Sequence, residues 1–403
     1  MKVDTMRFVD KYFGVPLCLI GTAIFKIFLR PKKNDKPKNI LFIELSEMGS
    51  AILVDPAMQK AKKTFDAELF FLIFKKNKPS LQLLNTVEDK NIFTINADGI
   101  ISLIKDTWKF LFWARKRNID TVIDLELFSR YSGLLAGFAG ADNIVAFNNF
   151  HGEGLYKGNM VTHKVMYNSH MHISKNFIAM VNALMSDKKE VPYSKTKIDD
   201  SETVLRKAEI SEELKEKVAE KIKHIIPEYN LGGGNCKIVL INPNASELLP
   251  QRRWDRNKYK DLINKILEEY KDVYVLITGA PSEKIEAKQL ADKCGDRCFS
   301  FAGEVKFSEL IGLYELSKIM ITNDSGPAHF AAVTSMPTIV IFGPETPALY
   351  SSLGKTRPVY SHLACSPCVS AANHRKTPCK DNVCLQLITV DDVYNAFKEE
   401  YNG

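Results

Sequence analysis

From Asn39 onward the chain alternates short apolar, β-branched runs with longer segments whose apolar residues recur at helical spacing. "NILFIEL" (39–45), "AELFFLIF" (67–74), "NIFTIN" (91–96), "TVIDLEL" (121–127) and "NIVAF" (143–147) read as strands. Between them, "SAILVDPAMQKAKKTF", "SLQLLNTV" and "ISLIKDTWKFLFWARKR" read as helices. This alternation predicts a parallel sheet with helices on both faces. A charged, helical stretch then runs from about 173 to 226 and ends in "LGGGN" (231–235), whose glycines predict a joint. Beyond it "KIVLINP" (237–243), "VYVLITG" (273–279), "CFSFAG" (298–303), "KIMITND" (318–324) and "TIVIFGP" (338–344) read as a second sheet, and a closing helix begins near Thr389. The expected organisation is α/β, with a segment 1–36, a first doubly wound domain 37–200, a connector 201–235, a second such domain 236–388 and a closing helix 389–403.

The first 36 residues differ in kind. "YFGVPLCLIGTAIFKIFL" (12–29) is apolar except for Lys26, and the basic "RPKKNDKPKNI" (30–40) follows. Eighteen residues lie at the lower edge of a bilayer span, Lys26 and Pro16 weaken such a span, and no small-residue cleavage site follows. The pattern predicts a helix on, or shallowly in, a membrane surface with its basic tail on anionic headgroups, peripheral on the cytoplasmic face of an inner membrane. A helix packed on the protein itself is the alternative. The whole chain, with 45% hydrophobic and 26% charged residues, is that of an ordinary globular protein. Its formal net charge of +7 suits an acidic small molecule or an anionic surface. Interleaved basic and aromatic runs are absent, which argues against nucleic acid.

Candidate chemistry sits where strands end. "ITNDSGPAHFAAVTSMPTIVIFGPETPALYSS" (321–352) runs from a strand through helix-capping residues into a helix with Pro327 in its first turn and His329 one turn on. Unpaired backbone N–H groups at such a start, with the positive end of the helix dipole, suit a phosphate. An ordinary capped helix is the bland reading. "SEMGS" (46–50), "NPNAS" (242–246) and "GAPSEK" (279–284) fall at three other strand ends, where ligands bind in open α/β sheets. Two facing domains of this kind predict a cleft lined by these loops.

Taken together, "NDSGPAHFAAVTSMPTIVIFGPETP", "ELSEMGSAILVDPAMQ", "NPNASELLPQRRW" and "GAPSEK" resemble the bacterial heptosyltransferases of glycosyltransferase family 9 over roughly residues 39–395. The resemblance implies the two-domain GT-B fold. It also implies inverting, metal-independent transfer from a nucleotide diphosphate sugar, ADP-heptose above others, to a lipid-linked or lipopolysaccharide-core acceptor. By matching position it implies that Ser325 and Gly326 bind the donor diphosphate and that Asp324 and His329 lie beside it. Arg252, ahead of Trp254, would stabilise the leaving diphosphate, with neighbouring Arg253 an alternative. Glu283 would accept the ribose hydroxyls or, more plainly, cap a helix. Gly49 would permit close substrate approach.

One position departs from the family pattern. The catalytic Asp expected after "MG" is Ser50, a hydroxyl that is no general base by itself. Glu47, then Glu44 or Asp55, are the candidate bases; loss of transfer activity is the remaining reading. Two further function classes therefore stand beside the transferase: a silent sugar-nucleotide-binding or assembly subunit, and a nucleotide-sugar epimerase. Cys365, Cys368, Cys379 and Cys384 have a C-x2-C-x10-C-x4-C spacing able to hold a structural zinc, to form two disulfides or to remain thiols, with His374 as an optional ligand. "HGEGLYKG" (151–158), with Glu153, and "NSHMH" (168–172) have the composition of a recognition loop or of ordinary loop and receive no role.

Overall fold

The computed structural model describes residues 3–29, 34, 36–151, 155–186, 190–231, 234, 236–246, 249–370, 373 and 375–403. Glu153, His374, most of the predicted joint at 231–235 and part of the basic run 30–40 lie outside the described residues. The chain forms two compact units, Met1–Val204 and Leu205–Gly403.

The first unit holds a six-stranded sheet of β1 (Asn39–Ile43), β2 (Glu68–Phe74), β3 (Ile92–Ile95), β4 (Thr121–Asp124), β5 (Asn143–Phe147) and β6 (His163–Val165), in spatial order β3-β2-β1-β4-β5-β6. The second holds β7 (Lys237–Asn242), β8 (Val273–Ile277), β9 (Cys298–Ser300), β10 (Ile319–Asn323), β11 (Thr338–Phe342) and β12 (Thr356–Tyr360), in order β12-β11-β10-β7-β8-β9. Every pairing is parallel. Renumbered from its own first strand, the second sheet repeats the order of the first, which is that of a Rossmann fold. Each unit therefore has a switch point where the chain changes direction of travel: between β1 and β4, and between β7 and β10. The central strands are continuous apolar runs, as burial by helices on both faces requires.

All ten predicted strands form. Two more, β6 and β12, were not foreseen. β12 contains Pro358, which demotes a run in the interior of a sheet, but β12 is an edge strand where the missing N–H is harmless. The predicted helix over 50–65 is instead two, Met48–Leu53 and Asp55–Phe65, because Pro56 restarts the helix in its first turn. "SLQLLNTV" yields only a single turn, Pro79–Gln82.

The two units divide at Val204/Leu205, so the segment 201–235 is not a separate body. Its helix Glu212–Ile225 buries Val218 and Ile222, and Leu214 and Val218 close over Gly312, whose missing side chain admits them. Lys221 and Lys217 meet the buried carboxylate of Glu309 at 2.6 and 3.0 Å. Thr389 and Asp392 exchange hydrogen bonds as a capping box for the closing helix Val390–Asn402, which lays Val393, Phe397 and Tyr401 on the second core.

At the N-terminus, helices Val3–Tyr12 and Gly14–Ile24 dock on helix Arg130–Phe138. The contact face is Gly14, Cys18 and Gly21 against Arg130, Leu134 and Phe138, and Asp10 pairs with Arg130 at 3.2 Å while accepting from the backbone of Arg130 and Tyr131. The rest of the surface, including Leu17, Ile20, Ile27 and Phe28, is exposed. No single described helix is long and apolar enough to cross a membrane; Thr5–Tyr12 and Gly14–Leu29 have the length and composition only as a pair bent by 46°.

Glu309 supplies a test of the second unit. Burial alone would raise its pKa, but Lys221, the Lys306 N–H and Lys217 outweigh burial and bring it from the ordinary 4.5 down to about 2. Its contribution is complete above the unfolded value and is lost as pH falls from about 4.5 toward 2. Glu309→Gln should cost about 1–2 kcal/mol at pH 7 and flatten the loss of stability over that acid window, read by chemical denaturation at several pH values.

Candidate functional site

In the first unit the site is the loop after β1. Glu126, just past β4, accepts at one carboxylate oxygen from Leu45 N (2.8 Å), Ser46 N (3.2 Å) and Ser46 Oγ (3.1 Å), fixing the chain as it leaves the sheet. Removal from water pushes the Glu126 carboxyl upward, the Leu45 N–H opposes this, and the charges of Asp124 and Glu47 reinforce it. Glu47 is the residue before helix Met48–Leu53, with an extended backbone. Its carboxylate does not cap the helix backbone but accepts from Ser50 Oγ at 3.1 Å. Both residues are half-buried, and Gly49 lies between them.

The other two candidate bases are placed differently. Asp55 is fully buried and accepts from Gln59 Nε2 at 2.6 Å and from Thr86 Oγ1, so it ties its own helix to the bend at Thr86. Glu44 is buried within the strand end. Glu47 combines partial exposure with contact to Ser50, whereas Glu44 and Asp55 are buried. Beside β4 and β5 the same unit holds a cavity of about 380 Å³ lined by Asp124, Asn149, Tyr156, Lys157 and Lys164 among others. Lys157 closes its floor, donating to Asp124 Oδ2 and Glu126 O at 2.5 Å each. His172 of "NSHMH" caps helix Ile173–Asn182 through Nδ1.

In the second unit, the side chain of Asn323 at the end of β10 gathers three segments. Its Oδ1 accepts from Trp254 N (3.0 Å) and Tyr259 OH (3.1 Å), and its Nδ2 donates to Pro243 O (2.8 Å) and Asn244 O (3.2 Å). This places "QRRW" and "NPNAS" against the start of helix Gly326–Ala331. Ser325 precedes that helix with extended backbone; its Oγ donates to Asn323 O at 3.2 Å and accepts from no helix N–H, leaving the first turn without a side-chain cap. A Cβ on Gly326 would stand 3.1 Å from the Phe330 ring, a tight approach. His329 is buried on the same helix.

The structure separates the two arginines. Arg252 lies between carboxylates, Nη2 at 2.7 Å from Glu345 and Nε at 3.3 Å from Asp324, while Arg253 donates to Ala245 O at 3.1 Å. Burial opposes the charge of Arg252, but Asp324 and Glu345 outweigh it and hold its pKa above the ordinary arginine value. Arg375 reaches the other oxygen of Glu345 at 3.5 Å. Glu283 accepts from Ala280 N at 2.6 Å, the capping role, and its Oε2 stands where a Cβ on Gly279 would meet it at 2.9 Å. Asn244 Nδ2 stands 2.9 Å from that same point, so the "GAPSEK" and "NPNAS" loops adjoin.

Glu126 and Glu345 were missed as site residues, and Asn323 was read only as a helix-capping type. Their common signal is a polar residue at or just beyond the end of an apolar strand.

The four cysteines do not assemble the zinc site their spacing allows. Among the described residues no group of three or more His, Cys, Asp or Glu is placed to hold a metal ion, and none of the eight cysteines is in a disulfide. Cys384 is buried in the second core, Cys365 is exposed, Cys368 contacts Thr377 nine residues on (3.3 Å), and Cys379 contacts Asp381 in its own turn (3.2 Å).

Comparison with known proteins agrees with this fold. Lipopolysaccharide heptosyltransferase 1 of Campylobacter coli is 24% identical over 364 residues, 89% of this chain and 98% of that protein. The structure of Escherichia coli ADP-heptose lps heptosyltransferase II matches with a TM-score of 0.68 at 18% identity, over 90% of this chain and 98% of that one. Escherichia coli heptosyltransferase WaaC with ADP matches with a TM-score of 0.60 at 15% identity, over 90% and 99%. These likenesses show the fold. The family model of glycosyltransferase family 9 (heptosyltransferase) matches residues 111–377, which takes in both switch-point loops of the second unit, and the chain belongs to that family.

Proposed function

We propose that this chain is an inverting glycosyltransferase of lipopolysaccharide-type biosynthesis that moves heptose from ADP-heptose to a lipid-linked core acceptor, without a catalytic metal. Family membership supports the reaction class, and relatives named for lipopolysaccharide and for ADP-heptose support the donor and acceptor. The observation that favours transfer over a silent sugar-nucleotide binder is the Glu47 carboxylate, 3.1 Å from Ser50 Oγ at the end of β1. It puts a base beside the position where the family pattern carries Asp.

In this reading the second unit binds the donor. The N–H groups at the start of helix Gly326–Ala331 take the diphosphate, and Arg252, held in place by Asp324 and Glu345, adds positive charge as the leaving diphosphate develops. Glu47 removes the acceptor hydroxyl proton as that oxygen attacks the anomeric carbon, and the bond from that carbon to the diphosphate breaks with its electron pair leaving on the phosphate oxygen. The cavity beside Lys157 and Lys164 supports an anionic acceptor on the first unit. The exposed apolar surface of the N-terminal helices supports a peripheral position on the cytoplasmic face of a membrane, where such an acceptor is found.

Glu47→Gln should lower transfer by about 10²–10⁴-fold with ADP-sugar affinity within a few-fold of the parent, because proton removal matters in the transition state. Adding Ser50→Asp to that variant should restore part of the rate. Product configuration by NMR and turnover in the presence of chelator test inversion and metal independence. A parent chain that binds ADP-heptose in calorimetry but turns over no donor and acceptor pair would leave the silent-binder reading standing instead.

Asn323→Ala should destabilise the second unit by about 2–4 kcal/mol, since it strips partners from a buried Trp254 N–H, a tyrosine and two carbonyls. ADP affinity should fall by about tenfold or more as the three loops loosen. Calorimetric unfolding and ADP titration check both, and an unchanged ADP affinity would detach Asn323 from the donor site.

A further inference from the structure

Helix Ile100–Lys116 is apolar on two faces, and only one of them is covered. Its inner side places Phe110 and Ala114 in the first core, with Leu103, Leu111 and Trp113 packed against it. A helix on the surface of a sheet ordinarily carries polar residues opposite such a stripe. Helix Asp55–Phe65 of the same unit does so, with Lys62 and Lys63 turned outward. Here the outer side carries Ile101, Ile104, Trp108 and Phe112, exposed by 84, 54, 61 and 71%. Their spacing of three, four and four residues aligns them in one stripe along three turns.

The charges around that stripe are one-sided. Lys105, Lys109, Arg115 and Lys116 are exposed beside it. Asp106 is the only acid between Ile100 and Arg117. It lies on another side of the helix, held by the Asn96 N–H at 3.0 Å and by Lys109 at 3.2 Å. Large aliphatic and aromatic side chains bordered by basic residues, with no exposed acid on the helix and Asp98 the exposed one just before it, complement the interface of an anionic bilayer. A protein partner would have to match the same four cations.

The stripe also adjoins the other uncovered apolar surface of this unit. Thr107 of this helix hydrogen-bonds Tyr131 of helix Arg130–Phe138 at 2.6 Å, and the N-terminal helices dock on that same helix through Asp10, Gly14 and Gly21. Both elements therefore flank one helix on one side of the sheet. Phe25, which ends the N-terminal helical run, shares a core cluster with Phe110.

We propose that Ile101, Ile104, Trp108 and Phe112 form a second membrane-inserting face, which lies in the headgroup region of an anionic bilayer alongside the N-terminal helices. This deepens, and rests on, the membrane-surface placement proposed above. The N-terminal helices then need not hold the protein alone, and the first unit meets the bilayer across a plane and not at a single hinge point.

Trp108 is its own reporter, because Trp254 is buried in the other unit and Trp113 packs on Phe70 and Phe93. Full-length protein should partition onto phosphatidylcholine vesicles containing phosphatidylglycerol, and Trp108 fluorescence should be quenched by lipids brominated on the acyl chain. The triple variant Ile101→Ser, Trp108→Ser, Phe112→Ser should lose partitioning by about tenfold or more with unchanged melting temperature, since the residues are exposed in the folded chain. Leu17→Ser, Ile20→Ser, Phe28→Ser should weaken partitioning while Trp108 remains quenched at higher lipid concentration. Binding with no quenching of Trp108 would overturn the second face and leave the N-terminal placement intact. No binding by the parent chain would overturn both. A dimer seen by light scattering without vesicles, and dissolved by the triple variant, would assign the stripe to a second copy and also overturn the proposal.

Discussion

The side-chain amide of Asn323 is the constraint on which the second unit's site depends. A buried primary amide has two donors and two lone pairs, and this one has partners for all four. The partners belong to the loop after β7, to the backbone of Trp254 and to Tyr259 on the following helix. An aspartate there would keep the two acceptors but set a charge against two carbonyls. A leucine would orphan every one of them at once. Because Trp254 N is fixed, the turn before it is fixed, and Arg252 is delivered to the gap between Asp324 and Glu345. Arg253, one residue on, points back to Ala245 and cannot substitute.

The first unit solves the same problem with a different residue. In each sheet the loop that leaves the first strand must be held at the switch point, next to the fourth strand. Glu126 after β4 reaches the loop after β1; Asn323 at the end of β10 reaches the loop after β7. The donors differ accordingly. Glu126 meets backbone N–H groups and suits a carboxylate, whereas Asn323 meets carbonyls and N–H or O–H groups together and needs an amide. Burial raises the Glu126 carboxyl, and its loop contacts answer that with a hydrogen bond from Leu45. Side chains at the end of the fourth strand thus act as clamps in both units, and the candidate site residues lie in the loops they hold.

Much of this was legible in the sequence because it rests on local pattern. Ten strands announced themselves as apolar runs between turn residues, and the four strand-end motifs led to the loops where the side chains gather. Arg252 and Asp324 were singled out by their place in those motifs, and the structure brings the two together. What escaped was set by tertiary context. β12 hides behind Pro358, which only an edge position tolerates. The attachment of helix Glu212–Ile225 to the second unit depends on Glu309 and Gly312, some hundred residues away, and no local signal marks them. The cysteine spacing permitted a tetrahedral site, yet spacing along the chain does not fix distance in space. Cys384 is drawn into the core and Cys365 is left at the surface, so the four thiols stand near one another without converging on one point.

The exchange of Asp for Ser at position 50 takes its meaning from helix geometry. Glu47 immediately precedes the first helical residue and Ser50 is the third residue within it, so their side chains emerge on the same side one turn apart. A carboxylate on the longer Glu side chain at 47 can reach the space that a shorter Asp at 50 would occupy, and the observed Oγ to carboxylate contact shows that the two side chains do meet there. The serine then has a task of its own, since its hydroxyl holds one oxygen of that carboxylate. Because the backbone of Glu47 is anchored one residue earlier by the Ser46 contacts to Glu126, the carboxylate is positioned from both sides. A carboxylate three residues earlier in the chain thus reaches the same place in the fold, and the base proposed for this chain rests on that reach.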